Sequence, residues 1–140
     1  MATSRSMGEF GKRLVLRARG VRQEVERTIR KAALRADQVV VLATPVDTGR
    51  ARANWIASTL APADRADNDA DKSGQKAVTQ AAAVVAGYKL EFGSIFLTNN
   101  VKYIVPLENG HSAQAPAGMT QQAVAAARDV MAKAKVLLGN

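Results

Sequence analysis

The stretch TPVDTGRARANW, residues 44–55, separates two unlike halves of the chain. Before it, small or apolar residues recur at Leu14, Ala18, Val21, Val25, Ile29, Ala32, Ala36, Val39 and Ala43. These cover 29 residues in eight steps of three or four, the period of an amphipathic α-helix. At about 1.5 Å per residue the helix would extend roughly 40 Å. Pro45 stops it, because the residue ahead of a proline is pushed towards extended backbone. Asp47, Thr48 and Gly49 then make a turn, in which Asp47 is expected to hold a backbone amide or an arginine. Beyond the turn, Ala53, Trp55, Ala57 and Thr59 share one parity and Asn54, Ile56, Ser58 and Leu60 the other. That alternation predicts a half-buried strand with Trp55 as its core anchor.

The rest of the chain is punctuated more closely. Residues 62–74 are polar, rich in Asp and without large apolar side chains, and read as a mobile acidic loop. KAVTQAAAVVAG, residues 76–87, predicts a short alanine-rich helix ended by Gly87. YKLEFGSIFLTNN, residues 88–100, predicts a strand, a turn at Gly93-Ser94 and a second strand. VKYIVPLENGHSAQAPAGM, residues 101–119, reads as extended or turn-rich, and Thr120 is the expected N-cap of a C-terminal helix. This order predicts an α+β fold: a long N-terminal helix, a small antiparallel sheet, a short helix and a C-terminal helix. One domain, 13–140, follows a flexible N-terminus, 1–12.

Composition narrows the function classes. Only three Phe, two Tyr and one Trp occur among 140 residues, and much of the 47% hydrophobic content is alanine. A core so poor in large side chains gains from a partner, which favours oligomers. No cysteine is present, so disulfides, thiolate metal sites and cysteine nucleophiles are excluded. Neither a signal-peptide core nor a membrane span of about 18 apolar residues is found. The net charge of +8 is concentrated in residues 1–35, where ten Lys/Arg face Glu9, Glu24 and Glu26 for +7. Such a basic helix suits nucleic acid, an acidic protein surface or simply solvent.

Catalytic chemistry finds little support. His111 stands beside Ser112 and three residues after Glu108, but neighbours in a turn do not converge as a triad requires, and a polar loop or interface role is preferred. Asp67, Asp69 and Asp71 begin a calcium-loop pattern, yet Lys72 replaces the turn glycine and Val78 the bidentate glutamate. Neither the GEFGKR segment, residues 8–13, nor Glu24 with Glu26 has the required spacing. No enzyme, metal or cofactor is expected.

Two blocks together carry a resemblance. The first holds Pro45, Asp47, Thr48, Gly49, Arg50 and Trp55. The second holds Thr98, Asn99, Asn100, Tyr103, Leu107, Glu108, Gly110, Ser112, Gln114, Ala115, Pro116, Gly118 and Met119. Over roughly residues 13–138 the chain resembles the neck or tail-completion proteins of long-tailed bacteriophages, the gene-10-like head–tail components. The resemblance implies a virion structural protein at the head–tail junction, made in the host cytoplasm. It implies a homo-oligomeric ring, six-fold favoured, that docks on tail terminator, tail tube or head–tail connector proteins near packaged DNA. No membrane partner is expected. Candidate assembly-interface residues are Arg50, Arg52, Asn99, Asn100, Tyr103, Glu108, Gly110, His111, Ser112, Gln114, Pro116 and Met119. The alternative is a small DNA-binding protein that uses the basic N-terminal helix.

Overall fold

Helix α1, Met7–Ala43, is the spine of the chain in a computed structural model that describes residues 7–109 and 118–134. It is 37 residues long, or about 55 Å at 1.5 Å per residue. It starts seven residues before the periodic pattern at Leu14, so residues 7–12 are helical. After it come α2 (Arg50–Ala53), β1 (Ile56–Thr59), α3 (Gln75–Ala86) and a single 3-10 turn (Leu90–Phe92). Then follow β2 (Ile95–Thr98), α4 (Ile104–Glu108) and α5 (Met119–Ala132). The fold is α+β. Its sheet is the antiparallel pair β1–β2, with Ile56 opposite Thr98 and Thr59 opposite Ile95.

Two helices pack along α1, and both run against it. Met119 joins Val40 and Val41 in the core, whereas Met131, one α5 length later, lies beside Ile29. On the adjoining face Gly74, just ahead of α3, approaches Val41. Beyond the other end of α3, Arg30 Nη2 donates to Tyr88 O, and Leu90 N donates to Glu26 Oε1 at 2.9 Å. Ala32, Ala36, Ala77, Ala81 and Ala123 are all buried, so these helices meet through short side chains. Trp55, Val40, Val41 and Met119 supply the bulk of the core cluster. Asp37, also buried, lies level with the middle of α3 between those two anchoring contacts.

Several local expectations change. Residues 50–53 form a helical turn rather than the start of a strand, because Gly49 takes a left-handed conformation (φ 89°) and its carbonyl accepts Ala53 N at 3.0 Å. Only Ile56–Thr59 is strand. The first strand expected in residues 88–92 is a 3-10 turn instead. Phe92 N donates to Lys89 O at 2.9 Å, and buried Tyr88 donates its hydroxyl to Gly93 O at 2.6 Å, so the segment closes on itself. Ile104–Glu108 is helical within the stretch expected to be extended. The N-cap of α5 is Gly118, and Thr120 sits in its first turn. Among the described residues no helix is long and apolar enough to cross a membrane.

Gly49 is held in place from two sides. Its positive φ is one that side chains rarely adopt, and an added Cβ would lie 2.5 Å from Lys72 N and 2.6 Å from Asp71 C. Both obstacles are backbone and cannot swing away. Gly49→Ala is therefore expected to destabilise the chain by about 3 kcal/mol or more. Urea denaturation checks this, and an unchanged midpoint would show that the turn relaxes freely.

A candidate docking cleft at the end of helix α1

The two sequence blocks meet in space where α1 ends. Thr44 N closes the helix on Val40 O and Val41 O, and Thr44 Oγ1 donates to Val40 O at 2.6 Å. Buried Pro45 then forbids another turn. The last carbonyls of a helix lack internal partners, and Arg52 supplies them. Its guanidinium donates to Leu42 O at 3.0 Å, Thr44 O at 3.1 Å and Lys72 O at 2.7 Å. One cation thus fastens the end of α1, the turn and the acidic segment together, a favourable charge for a helix C-terminus.

The acidic segment is tethered throughout. Asn68 N donates to Asn54 Oδ1 at 3.0 Å, Asn54 Nδ2 donates to Asn68 O at 3.2 Å, and Asn68 Nδ2 donates to Ala53 O at 3.0 Å. Arg50 Nη2 reaches Ala66 O at 3.3 Å. Asp71 accepts from Ser73 N, Ser73 Oγ and Lys76 N at 2.7–3.1 Å, which caps the start of α3 and holds its carboxyl below the usual range, the Ser73 hydroxyl contributing most. The expected mobile loop is therefore built onto the turn. Its fastenings are the amide side chains of Asn54, Asn68 and Asn100 and the guanidinium groups of Arg50 and Arg52, bonded largely to backbone carbonyls, which composition does not reveal.

The second block completes the structure. Asn99 Nδ2 donates to Ala51 O at 2.8 Å while its Oδ1 accepts Val101 N. Asn100 Nδ2 donates to Ala63 O at 2.8 Å. Glu108 accepts Thr120 N at 3.0 Å and the Thr120 hydroxyl, capping the N-terminus of α5. A Cβ at Gly118 would lie 2.5 Å from Glu108 Oε1, so a side chain there would push the carboxylate from its place. Between the blocks opens a cleft of about 520 Å³ lined by Pro45, Val46, Asp47, Thr48, Gly49, Arg50, Ala51, Tyr103 and Leu107.

The expected site residues thus separate into two groups. Trp55, Arg52, Asn99, Asn100, Glu108 and Met119 hold this chain together: Met119 and Trp55 are core, and the others bind its own backbone or cap its helices. Asp47, Thr48, Arg50 and Tyr103 stay exposed around the cleft. Asp47 departs from expectation. Among the described residues it makes no hydrogen bond or ion pair, because Thr48 Oγ1, accepting Arg50 N at 3.2 Å, and Arg52 fasten the turn instead. Gly110, His111, Ser112, Gln114 and Pro116 lie outside the described residues. Sequence reading missed Asn54, Asn68 and Asp71. The last had a general signal, since Asp and Ser are favoured at the start of a helix.

Chemically, the cleft pairs an apolar floor with one unpaired carboxylate and one lightly held guanidinium. Such groups are suited to holding a protein segment through packing and charge. Among the described residues no group of three or more His, Cys, Asp or Glu is placed to hold a metal ion. Removing the cap at Glu108 tests how the cleft wall depends on it. Glu108→Ala is expected to cost about 1 kcal/mol, and Glu108→Gln less than that, read as shifts in thermal midpoint. No loss for either variant would mean that the carboxylate does not cap α5. No protein-family model, curated protein or solved structure matches this chain.

Proposed function

We propose that this chain is a structural protein of a bacteriophage neck, which completes the tail and supports head–tail joining as a homo-oligomeric ring. One observation supports the reading: described residues of the two resembling blocks, about forty residues apart in sequence, meet at one end of α1, where Tyr103 and Leu107 of the second line a cleft with Pro45, Asp47, Thr48, Gly49 and Arg50 of the first. Some of those residues fasten the turn and core, and others stay exposed beside the cleft. The mechanism is geometric. A rigid turn, clamped by Arg52 and Asn99, presents Asp47, Arg50 and Tyr103 to a neighbouring subunit or to a tail terminator, tail tube or connector protein.

Deleting the corresponding gene from the phage tests this directly. The expected result is filled heads and finished tails that fail to join, with joining restored by added protein. Intact, infectious virions from the deletion would end the proposal. A second reading, DNA binding through α1, is favoured by the exposure of its basic N-terminal third. Duplex binding that falls steeply between low and high salt would support it.

A further inference from the structure

The two edges of the small sheet are finished differently. Ala57 N donates to Gln80 Oε1 at 3.3 Å, and Ala57 O accepts from Gln80 Nε2 at 3.1 Å, so a side-chain amide of α3 closes the outer edge of β1. Along a strand, successive residues turn their backbone groups to alternate sides. Since Ala57 is turned away from β2, its opposite residue Leu97, and Ile95 two places earlier, are turned away from β1. Their outward N–H and C=O groups have no hydrogen-bond partner among the described residues. β2 therefore presents an open edge, and its sequence Ile-Phe-Leu-Thr holds no proline or charge to guard it.

That edge borders a groove of about 320 Å³. Ala32, Ala33 and Ala36 of α1 form its floor, Ile95 and Leu97 one wall, and Ala127 and Met131 of α5 the other. No charged residue lines it. A strand laid on β2 thus has α5 on its far side. A folded second copy offering its own β2 would bring β1 with it into that helix, so the groove suits a single extended segment.

We infer that residues 135–140 of the same chain, KVLLGN, are that segment and add a third strand to β2. Ala134, the last described residue, follows Met131 by one helical turn, so the segment begins at the mouth of the groove. Residues 136–138 extend about 10 Å as a strand, and α1 rises about 10 Å from Ile29 to Ala36 along the groove. Val136 and Leu138 share one face of such a strand, and the short alanines opposite leave room for them. Residues 1–6, MATSRS, are polar and precede Ile29 by 22 residues of helix. That distance is about 33 Å, beyond the roughly 20 Å that six extended residues can span. The direction of the strand follows from the fold. β2 runs alongside α1 from Glu26, which binds Leu90 N, towards the far end, where Asn99 binds Ala51 O. Since α5 runs the opposite way, a chain turning back after Ala134 lies parallel to β2, with α5 as the crossover that a parallel neighbour requires. Two strands alone are marginal in water, and the third both strengthens the sheet and closes its open edge.

Amide hydrogen exchange, read by NMR on the full chain over a concentration series, gives the test. The amides of Phe96 and Thr98 face β1 and report the sheet itself, whereas those of Ile95 and Leu97 report the open edge. In wild type all four are expected to be slow, the edge pair within about tenfold of the other two, with methyl contacts between Leu138 and Ala33. Val136→Asp with Leu138→Asp is expected to speed exchange at Ile95 and Leu97 about a hundredfold and to leave Phe96 and Thr98 slow. Fast exchange at Ile95 and Leu97 in wild type would overturn the inference, whether or not the charged variant folds. Unchanged protection of that pair in the variant would do the same. So would protection that grows with protein concentration, which marks another copy on the edge. The neck reading survives each of these results, because the cleft at the end of α1 is a separate surface.

Discussion

Trp55→Ala is expected to remove about 3–5 kcal/mol of stability, which for a domain of ordinary stability of about 5–15 kcal/mol leaves much of the chain unfolded on mild heating. The indole is only 5% exposed and belongs to the cluster of Val40, Val41, Met119 and Ala123. Its Nε1 also donates to Thr44 Oγ1 at 2.7 Å, and Thr44 in turn donates to Val40 O. Trp55, the residue just ahead of β1, is thus bonded to the end of α1. Trp55→Phe separates packing from bonding. It keeps most of the ring, loses one hydrogen bond and should cost about 1 kcal/mol beyond the small volume change. Urea denaturation of the three proteins gives both numbers. A loss below about 1 kcal/mol for the alanine variant would remove Trp55 from the core.

The second large effect concerns Asp37, and it appears as an unusual dependence on pH. This carboxylate is 1% exposed, its Oδ1 is buried without a hydrogen-bond partner, and burial pushes its pKa up to about 7. In the unfolded chain it ionises near the ordinary 3.8. Between those values the folded protein keeps a proton that the unfolded chain has released. Stability therefore falls as pH rises from about 4 to 7 and levels off above that. At 1.36 kcal/mol per pKa unit the loss is on the order of 2–4 kcal/mol. Asp71 and Glu91, whose pKa values are lowered from the ordinary 3.8 and 4.5, act in the opposite sense, losing their contribution as pH drops through their folded values. Maximum stability is thus expected near pH 4–5. Asp37→Asn should abolish the slope between pH 5 and 7 and stabilise the protein by about 1–2 kcal/mol at pH 8. The gain stays below the full linkage because the amide is itself buried without partners. Denaturation curves from pH 4 to 8 decide it, and parallel profiles for the two proteins would sink the assignment.

The fold was legible wherever a period ran for several turns. Leu14 to Ala43, the alanine-rich run before Gly87 and the run after Thr120 all became helices. Short alternations misled. Tyr88, Leu90 and Phe92 alternate with charged residues as a strand does, yet among the described residues no strand pairs with them, and local hydrogen bonds took over. Ala51 and Ala53 fit either period, and the left-handed Gly49 decided for helix. The cleft was legible in its residues but not in their division of labour. Nothing in the letters says that Arg52 and Asn99 turn inward to carbonyls while Asp47 and Tyr103 stay outside. Periodicity had the same blind spot in α1. It identified the apolar face from Leu14 onwards, but not that its first third is left bare.

The alanine-to-alanine packing of α1 against α3 and α5 has a thermal consequence. Short side chains release little nonpolar area to water when the helices part, and nonpolar area is what raises the heat capacity of an unfolded chain. The increment should fall towards the lower end of the usual range, about 12 cal/mol/K per residue. A small increment flattens the stability curve. Such a protein loses stability slowly on both warming and cooling from its optimum, so that a modest maximum is spread across a wide span of temperature.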